Sequence, residues 1–106
     1  MTALYQVFFY VPESHKEEVK QAMFQAGAGK IGDYDQCSWE IIGTGQFRPL
    51  QNSNPFIGSQ DCLEQVAEYR VEMVCEMTLL AAVIEAMKLS HPYEEPAYGV
   101  VQLAEF

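Results

Sequence analysis

The constraint that narrows this chain most is the order in which its hydrophobic rhythm changes. Leu4–Val11 (LYQVFFYV) is nearly all apolar or aromatic and is closed by Pro12, which predicts a strand covered on both faces inside a sheet. Ser14-His15-Lys16-Glu17 follows as a capping box, with Ser14 as N-cap and Glu17 returning the hydrogen bond. Val19, Ala22, Met23 and Ala26 then recur at helical spacing, and Gly27 supplies the stop. A second strand runs from Ser38 through Trp39, Ile41, Ile42 and Phe47, with a bend or bulge expected at Gly43-Thr44-Gly45. From Glu64 to Cys75 the alternation is cleanest: Glu68, Arg70 and Glu72 are wet, while Tyr69, Val71, Met73 and Cys75 are dry. Thr78 is the expected N-cap of a second helix carrying Leu80, Val83, Ile84 and Met87, and Ala97–Leu103 reads as the last strand.

The order is β-α-β twice over. Six such elements in 106 residues predict a single α+β domain spanning 1–106, a ferredoxin-like sandwich with four antiparallel strands and both helices on one face. The handedness of crossover connections places the first and third strands in the middle. These are also the two most apolar strand segments, so pattern and topology agree.

Charge excludes some partners. Fifteen acidic against six basic residues leave a formal charge of -9, which repels phosphate backbones and anionic membrane surfaces. The mean hydropathy of -0.08 is that of a globular chain, and no apolar run approaches the roughly 20 residues of a membrane span. A cytoplasmic location is the expectation. Cys37, Cys62 and Cys75 are odd in number, far apart and without a C-x-x-C pair, which argues against a zinc ribbon or a disulfide framework and for reduced, mostly buried thiols.

Three stretches stand outside the regular pattern. Gly27–Gly32 leaves a helix, whereas a phosphate-binding loop enters one, so it reads as a tight return with positive φ at its glycines. Residues 47–60 form a long polar excursion between two strands, with Arg48 its only basic residue. Ser90–Tyr98 (SHPYEEPAY) is chemically the densest. Its prolines push His91 and Glu95 toward extended conformations, predicting a stiff connector that positions the final strand. Glu94 and Glu95 make a poor acid–base pair, because neighbours in an extended segment face opposite ways.

Five of these segments, in order, resemble one known domain. They are Phe9–His15, Gly27–Ser38, Gly43–Leu50, Asn54–Gly58 and His91–Tyr98. Together they look like the PII/CutA-like domain inserted into YqfO-type proteins of the NIF-three-like family, and the His-Pro-Tyr-Glu-Glu portion is also similar to CutA proteins. The resemblance covers about Tyr5 to Leu103. It implies the ferredoxin-like fold and association as a trimer through sheet edges. The paired metals of the family belong to flanking domains, and two histidines cannot rebuild such a centre. Lys30 stands where many relatives carry histidine.

Three functional readings follow. The first is a non-catalytic oligomerising or regulatory module that binds a partner or small ligand at subunit junctions, with Arg48, Tyr93, Glu94 and Tyr98 as candidate ligand or interface residues. The second is a CutA-like divalent copper or zinc site, for which His91, Glu94 and Cys37 are the available donors. The third is a PII-like nucleotide or metabolite sensor, using the 47–60 loop and an Arg48 grip on phosphate or carboxylate. No nucleophile motif, Walker loop or dinucleotide fingerprint occurs, so an enzyme is not expected. The module is the leading expectation.

Overall fold

A computed structural model describes residues 3–106. The elements follow in the order β1 (Leu4–Val11), α1 (Glu13–Gln25), β2 (Trp39–Phe47), β3 (Glu64–Glu76), α2 (Met77–Ser90) and β4 (Tyr98–Gln102). The four strands form one antiparallel sheet in the order β2-β3-β1-β4, the ferredoxin-like arrangement. As expected from handedness, β1 and β3 are central.

The core lies on one side of the sheet. Val7, Phe9 and Val11 of β1 and Val71, Met73 and Cys75 of β3 meet Val19 and Met23 of α1 and Val83 and Met87 of α2. Two-residue and helical periodicities converge on this single layer. Among the described residues the opposite face has no helix over it. There Phe8 and Tyr10 of β1 pair with Glu72 and Arg70 of β3, and Trp39 and Ile41 of β2 pair with the same two residues. The expectation that β1 is covered on both faces is therefore corrected. Its hydrophobic even-numbered residues reflect Phe8 and Tyr10 lying on an uncovered face, with Arg70 stacked over Phe8 at 4.0 Å.

Both helix starts differ from the sequence expectation. Pro12 precedes α1 and its carbonyl accepts the His15 N–H at 3.1 Å, whereas Ser14 lies inside the first turn and bonds the His15 ring at 2.9 Å. Likewise α2 starts directly at the end of β3, with Glu76 before it and Thr78 within the first turn. Neither cap position has a side-chain hydrogen bond. In both cases the strand runs straight into the helix, so tertiary packing sets the boundary one or two residues before the polar signal.

The C-terminus of α1 behaves as expected. Gly27 has φ 115°, its N–H bonds the Phe24 carbonyl, and the Ala28 N–H reaches the Met23 carbonyl, which together make a Schellman stop. Gly29 and Gly32 also have positive φ, so the glycine segment is the tight return. The glycines of β2 make no bulge: its register against β3 is unbroken from Trp39–Glu72 to Phe47–Glu64. Of the cysteines only Cys75 is buried; Cys37 is half-buried and Cys62 exposed. Cys62 lies in the loop after β2, and Cys37 in the turn before it, outside the core layer.

β1 stops opposite Tyr69, but β2 follows β3 out to Glu64. This two-stranded extension and its loop lengthen the molecule to 48 Å against 24 Å in the other directions. A Cβ at Gly27 would press within 2.7 Å of Leu79 Cδ1. Gly27→Ala is accordingly expected to destabilise the domain by about 1–3 kcal/mol, read as a shift of the urea midpoint at constant slope.

Candidate functional site

The long connector between β2 and β3 folds back toward the sheet. Pro49 is buried, its carbonyl accepts the Asp61 N–H at 2.7 Å, and Ser53 bonds the Leu50 carbonyl through both its amide and its hydroxyl. Its far side reaches the turn after α2, where the Asn54 N–H donates to Glu94 at 3.2 Å. Between loop, turn and projecting ribbon lies a cleft of about 480 Å³, within the usual range for small-molecule sites. Gly43 and Gly45 help line it, where β2 presents no side chain. The Glu68 carboxylate lies over Gly45, in space a Cβ would fill.

His91 holds the turn in place. The residue is only 7% exposed; Nε2 lies 2.7 Å from the Tyr10 carbonyl and Nδ1 3.1 Å from the Tyr93 amide. A neutral ring with Nε2 protonated satisfies both, donating to the carbonyl and accepting from the amide. Burial pushes the His91 pKa down, against the opposing pull of the Tyr10 carbonyl and Glu68. Helix α2 ends here, with the His91 N–H on the Met87 carbonyl and ψ of 138° before Pro92.

Tyr93 is the wall that His91 positions. Its hydroxyl donates to Glu68 at 2.8 Å, and burial together with that carboxylate raises its pKa well above the usual phenol value. Its ring is 6.4 Å from both Phe47 and Phe56, tilted by 50° and 48°. Phe56 is backed on another side by His15, edge-on at 5.4 Å. Three aromatic rings thus form a corner without stacking on one another. Arg70 also borders the cleft, but its charge is engaged: Nε donates to Glu72 at 3.0 Å and Nη1 to the Tyr10 hydroxyl at 2.6 Å. The Glu72 contact raises the Arg70 pKa further.

The predicted site residues separate into two groups. Tyr93 and Glu94 border the cleft, and so does Glu95. Residues 92–95 bend instead of running extended, which brings both glutamates to one cleft and corrects the premise that they diverge. Arg48 is exposed and makes no ion pair among the described residues. Tyr98 lies on the helix side of β4, with the Lys88 ammonium 5.2 Å above its ring. His91, Glu94 and Cys37 are not brought together. Both His91 nitrogens are engaged, Glu94 is at the cleft, and Cys37 is tied through its amide to Gly29, which in turn bonds Val74. Among the described residues no three His, Cys, Asp or Glu side chains converge as metal ligands.

Sequence reasoning missed Tyr10, Phe47, Phe56, Glu68 and Arg70 as one constellation. The available signal was the wet face of β3: Glu68, Arg70 and Glu72 alternate with the core residues Val71, Met73 and Cys75, on the face that the helices leave uncovered.

No family model matches the sequence. The chain is 51% identical over 94 residues to a GTP cyclohydrolase 1 type 2 homolog of Mycobacterium leprae, an alignment covering 89% of this chain and 24% of that protein. Among solved structures, a Bacillus cereus protein related to NIF3 superposes with a TM-score of 0.84 at 39% identity, covering 98% of this chain and 26% of that one. CutA from Synechococcus elongatus superposes with a TM-score of 0.68 at 17% identity, covering 97% and 79%. The chain spans about a quarter of the length of the curated relatives it matches. Its fold is the PII/CutA-like form of the ferredoxin-like sandwich, and no helix among the described residues is long and apolar enough to cross a membrane.

The His91 geometry sets a pH dependence. Its folded pKa lies below the ordinary 6.5, so neutral His91 stabilises the fold fully above that value. Stability falls as pH drops below 6.5 toward the folded pKa, because the unfolded chain binds the proton first. Melting temperature should therefore decline between about pH 7 and pH 5.5, and His91→Gln should flatten that segment while lowering stability throughout. Tyr93→Phe, which removes one hydroxyl bond to Glu68, should cost about 1 kcal/mol in urea unfolding.

Proposed function

We propose that the chain is a non-catalytic assembly and regulatory module, which associates with copies of itself and takes up a partner or small ligand at the junctions. The observation that carries this reading is the uncovered face of the sheet. Trp39 and Ile41 are 57% and 52% exposed there, beside Phe8, Tyr10 and the stacked Arg70. An exposed tryptophan beside half-buried aromatics and an arginine is a composition typical of interface centres. Among the described residues the sheet also keeps two unpaired edges, β2 and β4, which invite strand pairing with another chain. Closed rotational symmetry would use one such surface in every copy, and a trimer is the form we favour, in line with the CutA-like fold.

The ligand part of the reading is supported by the aromatic cleft at the root of the projecting ribbon. A nucleotide sensor has less support: among the described residues Arg70 is the single basic side chain bordering the cleft, and it already faces Glu72. Lys16 and Lys20 are both drawn to Glu40, whose pKa they lower. Among the described residues a copper or zinc site has no converging donors to support it.

Light scattering coupled to size-exclusion chromatography tests the assembly claim. Three chain masses are expected at micromolar concentration, and Ile41→Glu should reduce the species to one chain mass while leaving far-ultraviolet circular dichroism unchanged. A monomer at tens of micromolar wild-type protein would overturn the reading.

A further inference from the structure

We propose that the cleft binds an organic cation: an ammonium group carried on an apolar, preferably aromatic, body. The inference rests on the ligand-binding part of the reading above and names the class of ligand. The cleft provides an apolar compartment, with Phe47, Phe56 and Tyr93 as an open aromatic corner. The rings are tilted by 50° and 48° with centroids 6.4 Å apart, so none of the three has a face covered by parallel stacking on another, and Phe56 is 51% exposed. Such faces attract cations, most strongly when the site is partly desolvated.

The charges select the same class. Glu68, Glu94 and Glu95 border the cleft, and among the described residues none of the three is paired with a lysine, arginine or histidine. Their hydrogen bonds come from neutral donors, the Tyr93 hydroxyl to Glu68 and the Asn54 amide to Glu94. Arg70, the opposing charge, is turned to Glu72 and stacked on Phe8. The cleft is therefore net negative, and the chain's overall charge of -9 adds to the field. A carboxylate or phosphate ligand would meet three unpaired carboxylates; a bare metal ion would find no convergent donors. A cation with an apolar body satisfies both the rings and the acids.

The test uses the full chain and benzyltrimethylammonium as probe, followed by calorimetry and amide NMR, with benzoate and benzyl alcohol as anionic and neutral aromatic controls. We expect one saturable site with a Kd below about 1 mM, shifts confined to the cleft residues around Tyr10, 41–57, Glu68–Arg70 and 91–97, and binding at least about fivefold weaker for both controls. Glu68→Gln keeps an acceptor for Tyr93 but removes the charge, and should weaken the cation about fivefold. Glu17→Gln, on the exposed face of α1, should bind as wild type. Equal binding of benzoate, shifts scattered over surface acids without saturation, or equal effects of the two glutamine variants would each overturn the inference. Light scattering on the same samples separates the two readings. An assembled protein that fails to bind the cation overturns this inference alone, and a monomer that binds it supports the inference while overturning assembly.

Discussion

Two helices can cover only one face of a four-stranded sheet, and most of this molecule follows from that limit. α1 and α2 bury Val7, Phe9, Val11, Val71 and Met73 completely or nearly so. Burial of apolar side chains of this size contributes roughly 1.5–3 kcal/mol each, which makes the covered face the source of stability. The other face receives no such cover. Its side chains are compromises: Arg70 lies across Phe8 and bonds Tyr10, and Gln6 donates to Glu72 at 3.1 Å. Such a face is stable enough in water yet retains the aromatic area and polar anchors that an interface uses.

The cleft depends on a second, more local constraint. The ribbon of β2 and β3 extends past the end of β1, so its outer part has neither a central strand nor a helix beside it. The loop after β2 and the turn after α2 fill that space. His91 links the turn to β1 through the Tyr10 carbonyl, and Tyr93 links it to β3 through Glu68. A buried histidine with both nitrogens satisfied by protein groups is a positioning device, and it leaves no lone pair for a metal. The residue that looked chemically richest in the sequence thus supplies geometry, while the cleft it shapes supplies the recognition surface.

Much of the fold was legible because it rests on local periodicity. The alternation of Glu68–Cys75, the stripe Val19–Met23 and the stop at Gly27 each report a face or an end that neighbouring residues specify. Helix starts were less legible, since Ser14 and Thr78 carry the right chemistry but the preceding strands feed directly into the helices. The glycines at 43 and 45 predict a bend or bulge because glycine inside a strand commonly marks one. In the structure they remain in register and leave room that the Glu68 side chain and the cleft occupy.

Sequence alone determined the element order, the single core and the central placement of β1 and β3, because hydrophobic period and crossover handedness act within short stretches of chain. Tertiary structure alone decided the site. The side chains that form it come from β1, β2, the following loop, β3 and the turn after α2, up to about eighty residues apart, as His91 and Tyr10 are. No local pattern specifies which rings meet across such separations or which charges remain unpaired. Packing did so, by spending Arg70 on Glu72 and His91 on the backbone and leaving Glu68, Glu94 and Glu95 facing an aromatic corner.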